Sequence, residues 1–286
     1  MDNFKIYRVR CLTNMHVGSG DATYTLIDNQ VQRDVITGFP TINSSSLKGS
    51  LRSFLDPKKE KSKAIKYIFG DKEDGMGNYK IFPGMLLSIP VRSNVKPFFR
   101  ATCPRIIKDF LGFIENFQPQ TSDIENIKTL EEDLKSIEKV ADKNKNTIFI
   151  LKNFNRDIDV KLDNNQRVEG IKITSEQEIS LKGEEIIKEI FGESLILIDD
   201  NSFNDIVDRL PVIARNKLDN GESENLWYEE IVPRETRFYF GVVWPKTDNS
   251  NKEEEYEKIF NNITEQSVQI GGNATIGYGY CDIKFI

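Results

Sequence analysis

Histidine is almost missing from this 286-residue chain, where His16 stands alone. That excludes a zinc site built on several histidines. Cysteine is scarce as well: Cys11, Cys103 and Cys281 are odd in number, far apart and in no CxxC pair, so no disulfide framework is expected. Cys11 and Cys281 fall in apolar, strand-like segments and read as buried thiols. No apolar run approaches the roughly 20 residues that cross a bilayer, so no membrane contact is expected. The segment Met1 to Tyr7 reads as the entry to a strand and lacks the apolar core of a signal peptide, which makes the cytoplasm the expected compartment. There is no P-loop and no GxGxxG, and no Ser-His-Asp or Cys-His arrangement can be assembled. Positive charge is not in excess either: 39 Lys and Arg against 45 Asp and Glu give a net charge of -6. A free protein that coats nucleic acid by bulk electrostatics is thereby excluded, while a local basic groove is not.

What is present is a soluble composition, 38% hydrophobic and 29% charged, in a chain long enough to bury a sizeable core. Charge is segregated along it. Lys48, Arg52, Lys58, Lys59, Lys61, Lys63 and Lys66 cluster in one stretch, which a solvated helical face would also explain. Strand signals run over Phe4–Leu12 and Thr23–Ile27, separated by the turn Met15 to Gly20. Helical spacing is expected from about Ser45 to Leu55, where Asp56-Pro57 ends it, and again over Ala64–Phe69, stopped by Gly70. Asp71–Asn78 reads as a polar loop without the Glu of an EF-hand, and Lys80–Val91 as a strand containing Pro83-Gly84. Pro104–Phe117 and the charged segment 121–146 have helical period, with a loop from Asp142 to Asn146. A further helix near Gly183–Phe191 follows, then one to Leu210 capped by Asn201 or Ser202. Val212–Asn216 and Trp227–Val232 suit the arms of a hairpin with Asp219-Asn220-Gly221 at its tip, because Asn-Gly provides the positive φ that a type I′ turn needs. Strands and helices are interspersed without a repeat, so an α+β fold is expected.

Three stretches carry chemistry. From Asp28 to Arg52 the chain sets a carboxylate ahead of Ser44, Ser45 and Ser46, which can cap the following helix, and of Lys48, Gly49 and Arg52. A helix start with a nearby cation and a glycine suits a phosphodiester, with Asp28 as base or metal ligand. A turn followed by an ordinary capped helix would use the same residues. The run Gly271 to Tyr280 holds Gly271, Gly272, Gly277 and Gly279 with Asn273, Tyr278 and Tyr280. It can let a backbone approach a phosphate chain, or simply turn into a last strand. His16 precedes Gly18 and Gly20 and can touch a ligand, although a lone histidine is commonly structural.

Together these stretches resemble the RAMP proteins of CRISPR effector complexes, and among them the Cas7-type backbone subunits of type III-B (Cmr) complexes. The resemblance rests on Met15-His16-Val17-Gly18-Ser19-Gly20, on Asp28 to Asp34 with Gln32-Arg33, and on Gly38-Phe39-Pro40. It continues through Ser45-Ser46-Leu47-Lys48-Gly49-Ser50-Leu51-Arg52, Phe69-Gly70, Leu226-Trp227-Tyr228-Glu229-Glu230 with Pro233, and Gly271 to Gly279. It fades across 121–200. It implies a modified RRM (ferredoxin-like) palm in a single domain over 1–286, with finger-like insertions at roughly 56–80 and 104–200. It also implies a thumb hairpin over roughly 212–226 that includes Asn216, Asp219, Asn220, Gly221 and Leu226. Copies of the chain would stack as a filament on a guide crRNA beside other Cmr subunits. His16, Lys48, Gly49, Arg52, Gly271, Gly272, Asn273 and Gly277 are the RNA-binding residues on this resemblance. Asp28 falls on the catalytic, metal-binding aspartate of a target-RNA endoribonuclease that needs a divalent metal (Mg or Mn). Specificity would come from guide pairing, so the protein needs only backbone contacts. A non-cleaving Cas7-like structural subunit and a Cas6-like guide-processing enzyme are the alternatives; the second needs a catalytic histidine.

Overall fold

Every position of Ile148–Leu151 and Leu195–Ile198 is buried, the mark of central strands covered on both faces. They lie in a mixed sheet ordered Ser175–Gln177, Ile148–Leu151, Leu195–Ile198, Phe98–Thr102, Met85–Arg92, in which the pairings alternate parallel and antiparallel. The computed structural model describes residues 3–20, 26–58, 62–73, 75–117, 124–143, 148–156, 165–245 and 250–286. Most of the short strand expected over Thr23–Ile27, residues 59–61 of the basic run and most of the loop expected at 142–146 lie outside them.

The chain divides into two compact units. The first comprises Met1–Phe4, Leu86–Arg209 and Thr236–Phe238. It carries the sheet above and the helices Pro104–Phe117, Ile124–Lys143, Glu184–Phe191 and Asp200–Val207. The helix over Pro104–Phe117 has the expected bounds, and Ile106, Ile107, Phe110, Leu111 and Ile114 form its buried stripe. The helix Asp200–Val207 starts two or three residues earlier than its sequence suggests. Asp199 is its cap, its side chain accepting the Ser202 N–H at 3.0 Å, and the chain leaves the helix before Leu210.

The second unit comprises Lys5–Met85, Leu210–Glu235 and Tyr239–Ile286. Its strand Phe4–Cys11 pairs antiparallel with Tyr280–Phe285, which pairs in turn with Val268–Gln269. That register sets Cys11 opposite Cys281, and both thiols are buried and free. The hydrogen bond to Cys281, with burial, holds the Cys11 thiol well above its usual range. Aromatic rings fill this core: Tyr7 stacks on Phe240 at 5.2 Å, and Tyr79 meets Trp244 and Phe260. Burial raises the Tyr7 phenol, which donates to Asn261.

Two expected segments differ in detail. Asp71–Asn78 is not wholly loop, because Gly70–Asp71 pairs with Gly75–Met76 as a small ribbon. The ribbon needs its glycines: a Cβ on Gly70 would lie 2.4 Å from the Gly77 nitrogen, and one on Gly77 would lie 2.4 Å from the Ile68 oxygen. The strand expected over Lys80–Val91 breaks into Lys80–Ile81 and Met85–Arg92. There Gly84 turns aside to exchange backbone hydrogen bonds with Ile42.

Candidate nucleic-acid interface

The site lies within the second unit, and one residue of the Asp28 to Asp34 segment holds it together. Gln32 is buried and bonds at every polar atom. Its N–H donates to the Val17 carbonyl at 2.8 Å, and its own carbonyl accepts from Thr41. Its side-chain oxygen accepts the Asn43 N–H at 2.7 Å, while the amide nitrogen donates to the Gly18 carbonyl and the Ser46 hydroxyl. One fully satisfied amide therefore joins the Met15–Gly20 turn to the start of the helix Ser44–Leu55. The expected serine cap does not form: Asn43 is the N-cap and its side chain makes no capping bond. Gln32 takes both the Asn43 N–H and the Ser46 hydroxyl that a cap would have used.

His16 is buried at 8% exposure, and its Nδ1 lies 2.7 Å from the Glu230 carbonyl. A carbonyl only accepts, so Nδ1 carries the proton. The His16 carbonyl accepts the Gly272 N–H at 2.8 Å, which brings the glycine run onto the turn. Gly271 is at φ +88, and a Cβ there would lie 2.3 Å from the His16 oxygen. At Gly279, φ +75, a Cβ would lie 2.0 Å from the Ile270 oxygen. Only glycine fits either place.

The serine helix separates two grooves. At 3.6 residues per turn, Lys48 and Arg52 share one face while Ser45, Gly49 and Ser53 share another. The second face lines a groove of about 710 Å³ with Ser46, Ser50, Gly18, Gly271 and Gly272, and no charged side chain is among its lining residues. Lys48 and Arg52 line a different groove of about 680 Å³, with Phe69, Lys72 and the glycines of the small ribbon. The cations and the glycine run, grouped together in the sequence reading, are thus distributed over two grooves.

The hairpin is longer than expected, Val212–Asp219 pairing with Glu222–Glu230. Its two-residue turn has Asn220 at φ 50 and Gly221 at φ 90, the type I′ combination. Leu226 pairs with Asn216, and the second arm ends at Glu230, the partner of Val212: two residues short of the expected Trp227–Val232 arm and past the thumb limit of roughly 226 that the resemblance implies. At the base Glu230 pairs with Arg33 at 2.6 Å and accepts the Val31 N–H, at 3% exposure. Glu229 faces Arg215 at 3.0 Å and Asn273 at 2.7 Å. The Arg215 guanidinium sits over the Tyr278 ring, 4.6 Å from its centroid.

Asp28 runs beside this base. Its Oδ2 accepts the Tyr228 N–H at 2.7 Å, its own N–H donates to the Tyr228 carbonyl, and Asn29 bridges Glu229 in parallel. The residue is exposed, so a carboxylate oxygen faces solvent at the foot of the hairpin. A model of the RAMP superfamily matches residues 8–282.

The chain belongs to the RAMP superfamily.

Two curated RAMP relatives extend the match. The chain is 29% identical to the CRISPR system Cmr endoribonuclease Cmr4 of Pyrococcus furiosus, over 95% of this chain and 92% of that protein. It is 24% identical to the CRISPR system CMR subunit Cmr4 of Saccharolobus solfataricus, over 99% and 96%. Among solved structures, a type III-B Cmr-beta complex in its apo state contains a chain with TM-score 0.78 at 23% identity, covering 99% of this chain and 97% of that one. The oligomeric Cmr4 crystal structure from Pyrococcus furiosus gives 0.70 at 24% identity, covering 100% and 99%. The α+β fold expected from the sequence is the fold of these RAMP structures.

Within this RAMP chain, Gly49, Gly271 and Gly272 share one groove, Lys48 and Arg52 the other, and Asn273 reaches the hairpin base. Gly277 is exposed at φ 81, ending a short helical turn over Ala274–Ile276. Asn216, Asp219, Asn220, Gly221 and Leu226 are exposed on the hairpin. Sequence reasoning missed Arg215, and although it named Gln32 and Tyr278 it missed what they touch; the long Gln32–Ser46 and Arg215–Glu229 connections leave no periodic signal. Among the described residues, no three His, Cys, Asp or Glu side chains come together as a metal-binding group. Among the described residues the donor set is the one exposed carboxylate of Asp28, which fits a largely hydrated divalent cation and not an ion enclosed by protein ligands alone.

Proposed function

We propose that this chain is a guide-RNA-binding backbone subunit of a type III-B CRISPR effector complex and an endoribonuclease that cuts the guide-paired target RNA. Its partners are then guide crRNA, target RNA, further copies of itself in a filament and the other Cmr subunits, in the cytoplasm. The match to the curated Cmr4 endoribonuclease along nearly the whole chain supports this reading. Among the described residues no helix is long and apolar enough to cross a membrane.

The observation that carries the catalytic part is the exposed Asp28 carboxylate, held by the Tyr228 N–H at the foot of an exposed hairpin. Lys48 and Arg52 hold phosphates from one groove, while Gly49 and the Gly271–Gly272 backbone let the guide chain approach in the other. A hairpin standing between paired strands opens the duplex and lets a target 2′-hydroxyl line up with its own phosphate. That hydroxyl attacks phosphorus and its proton passes to Asp28; the bond to the next nucleotide's 5′ oxygen breaks, leaving a 2′,3′-cyclic phosphate and a 5′ oxygen that takes a proton from water. A divalent ion held by Asp28 and phosphate oxygens would supply positive charge where the oxygens become more negative. Replacement of Asp28 by Ala in the assembled complex is expected to lower cleavage by about 10²-fold or more, with guide binding retained. Native-rate cutting by that variant would remove the catalytic role and keep the scaffold.

That no metal-binding group of carboxylates forms among the described residues favours one other reading, a non-cleaving structural subunit, and the same variant decides it. A Cas6-like role fits less well, because His16 is buried and its Nδ1 is engaged by the Glu230 carbonyl.

A further inference from the structure

A continuous chain of contacts runs from the glycine run to Asp28. Asn273 donates to Glu229 Oε1 at 2.7 Å, and Arg215 reaches the same oxygen at 3.0 Å from the opposite arm of the hairpin. Arg215 also lies over Tyr278, so its guanidinium touches both the hairpin and the glycine run. Glu229 is 4% exposed, and a carboxylate so buried is strongly held by the two donors on its Oε1. The preceding residue on the same strand, Tyr228, gives its N–H to the Asp28 carboxylate, and Asn29 bridges Glu229 itself. The side chain of Arg215 is 19% exposed and does not reach Asp28 in any contact described above. Its position makes it a fastening between the glycine run and the strand that aims Asp28.

We propose that Arg215 is a positioning residue: through Glu229, Asn273 and Tyr278 it fixes the hairpin base on the glycine run, and so fixes where Asp28 meets the target strand. This rests on the reading of Asp28 as the cleaving carboxylate and of the glycine run as a guide contact. An arginine suits the task because its planar fork can bond a carboxylate and stack on an aromatic face together, which a lysine cannot do. A loosened base would let Asp28 reach neighbouring phosphates, so cut position as well as rate should change.

The test uses assembled complexes, purified with guide RNA bound and compared for subunit stoichiometry and guide protection. Single-turnover target cleavage is followed with the cut positions mapped to the nucleotide. Arg215→Ala is expected to lower the rate about tenfold, equivalent to about 1.4 kcal/mol, and to add cuts beside the native positions. Arg215→Lys should keep part of the rate and still broaden the cuts. Because Arg215 and Asn273 act on one oxygen, the R215A/N273A pair should be no slower than the slower single variant, rather than showing the product of two losses. Native rate and native cut positions in Arg215→Ala would overturn the proposal, as would multiplying losses. If Arg215→Ala fails to assemble, Arg215→Lys decides: native cut positions overturn the proposal, broadened ones support it. An Asp28→Ala complex separates the two readings. If it cuts like the native complex, the underlying assignment has failed; if it is silent while Arg215→Ala cuts natively, only the positioning role has.

Discussion

At the base of the hairpin, Glu229 and Glu230 are 4% and 3% exposed, and each meets a guanidinium from elsewhere in the fold. Further out, Asn216, Lys217 and Asp219 to Leu226 are all exposed, and this part pairs only with itself. A two-stranded ribbon is marginal in water by itself. Its outer half therefore relies on its turn and its own register, while the base is locked by buried charge and by the Asn29 bridge. On the proposed function the contrast suits two tasks: a rigid foot to aim Asp28, and a compliant tip to accommodate the strand it meets.

The largest effect that would test this contrast comes from the base. Glu230→Ala leaves Arg33 and the Val31 N–H without their carboxylate, and should cost about 3–5 kcal/mol in urea unfolding. A loss under 1 kcal/mol would mean that the base is not locked. At the tip, Gly221→Ala forces a side chain into a left-handed conformation, worth roughly 1–2 kcal/mol. That cost should appear as faster amide exchange confined to the hairpin, with the global midpoint unchanged. A shift of the global midpoint would show instead that tip and base unfold together. Smallest of all, Lys217→Ala removes an exposed pair with Glu224, the two side chains 63% and 50% exposed. Stability should move by less than about 1 kcal/mol, and less again at high salt.

Much of the hairpin was legible in the sequence because its signal is local. Asn220-Gly221 specifies a turn type, and the flanking arms follow from it. The same is true of Pro104–Phe117, whose stripe of apolar residues defines its length, and of the glycines at 271 and 279, marked by composition alone. Other features could not be read in this way. Nothing near Gln32 announces that its amide will displace a serine cap, and nothing near Arg215 announces Glu229 or Tyr278. The sorting of Lys48 and Arg52 away from Gly49 was implicit in helical period, yet which groove each face lines depends on the ribbon at Gly70–Met76 and on the glycine run.

The sequence by itself determined the α+β class, the turn chemistry, the place of Asp28 ahead of the serine helix and the family. These depend on short-range sterics and on motifs whose residues are close in sequence. Only the tertiary structure decided which carboxylates are buried and which faces solvent. Glu229, Glu230 and Asp28 are chemically similar, and what separates them is the presence of Arg215, Asn273 and Arg33 around two of them and, among the described residues, of the Tyr228 backbone N–H beside the third. The free energy of a charge is set by what surrounds it in space, and those surroundings come from segments up to two hundred residues apart.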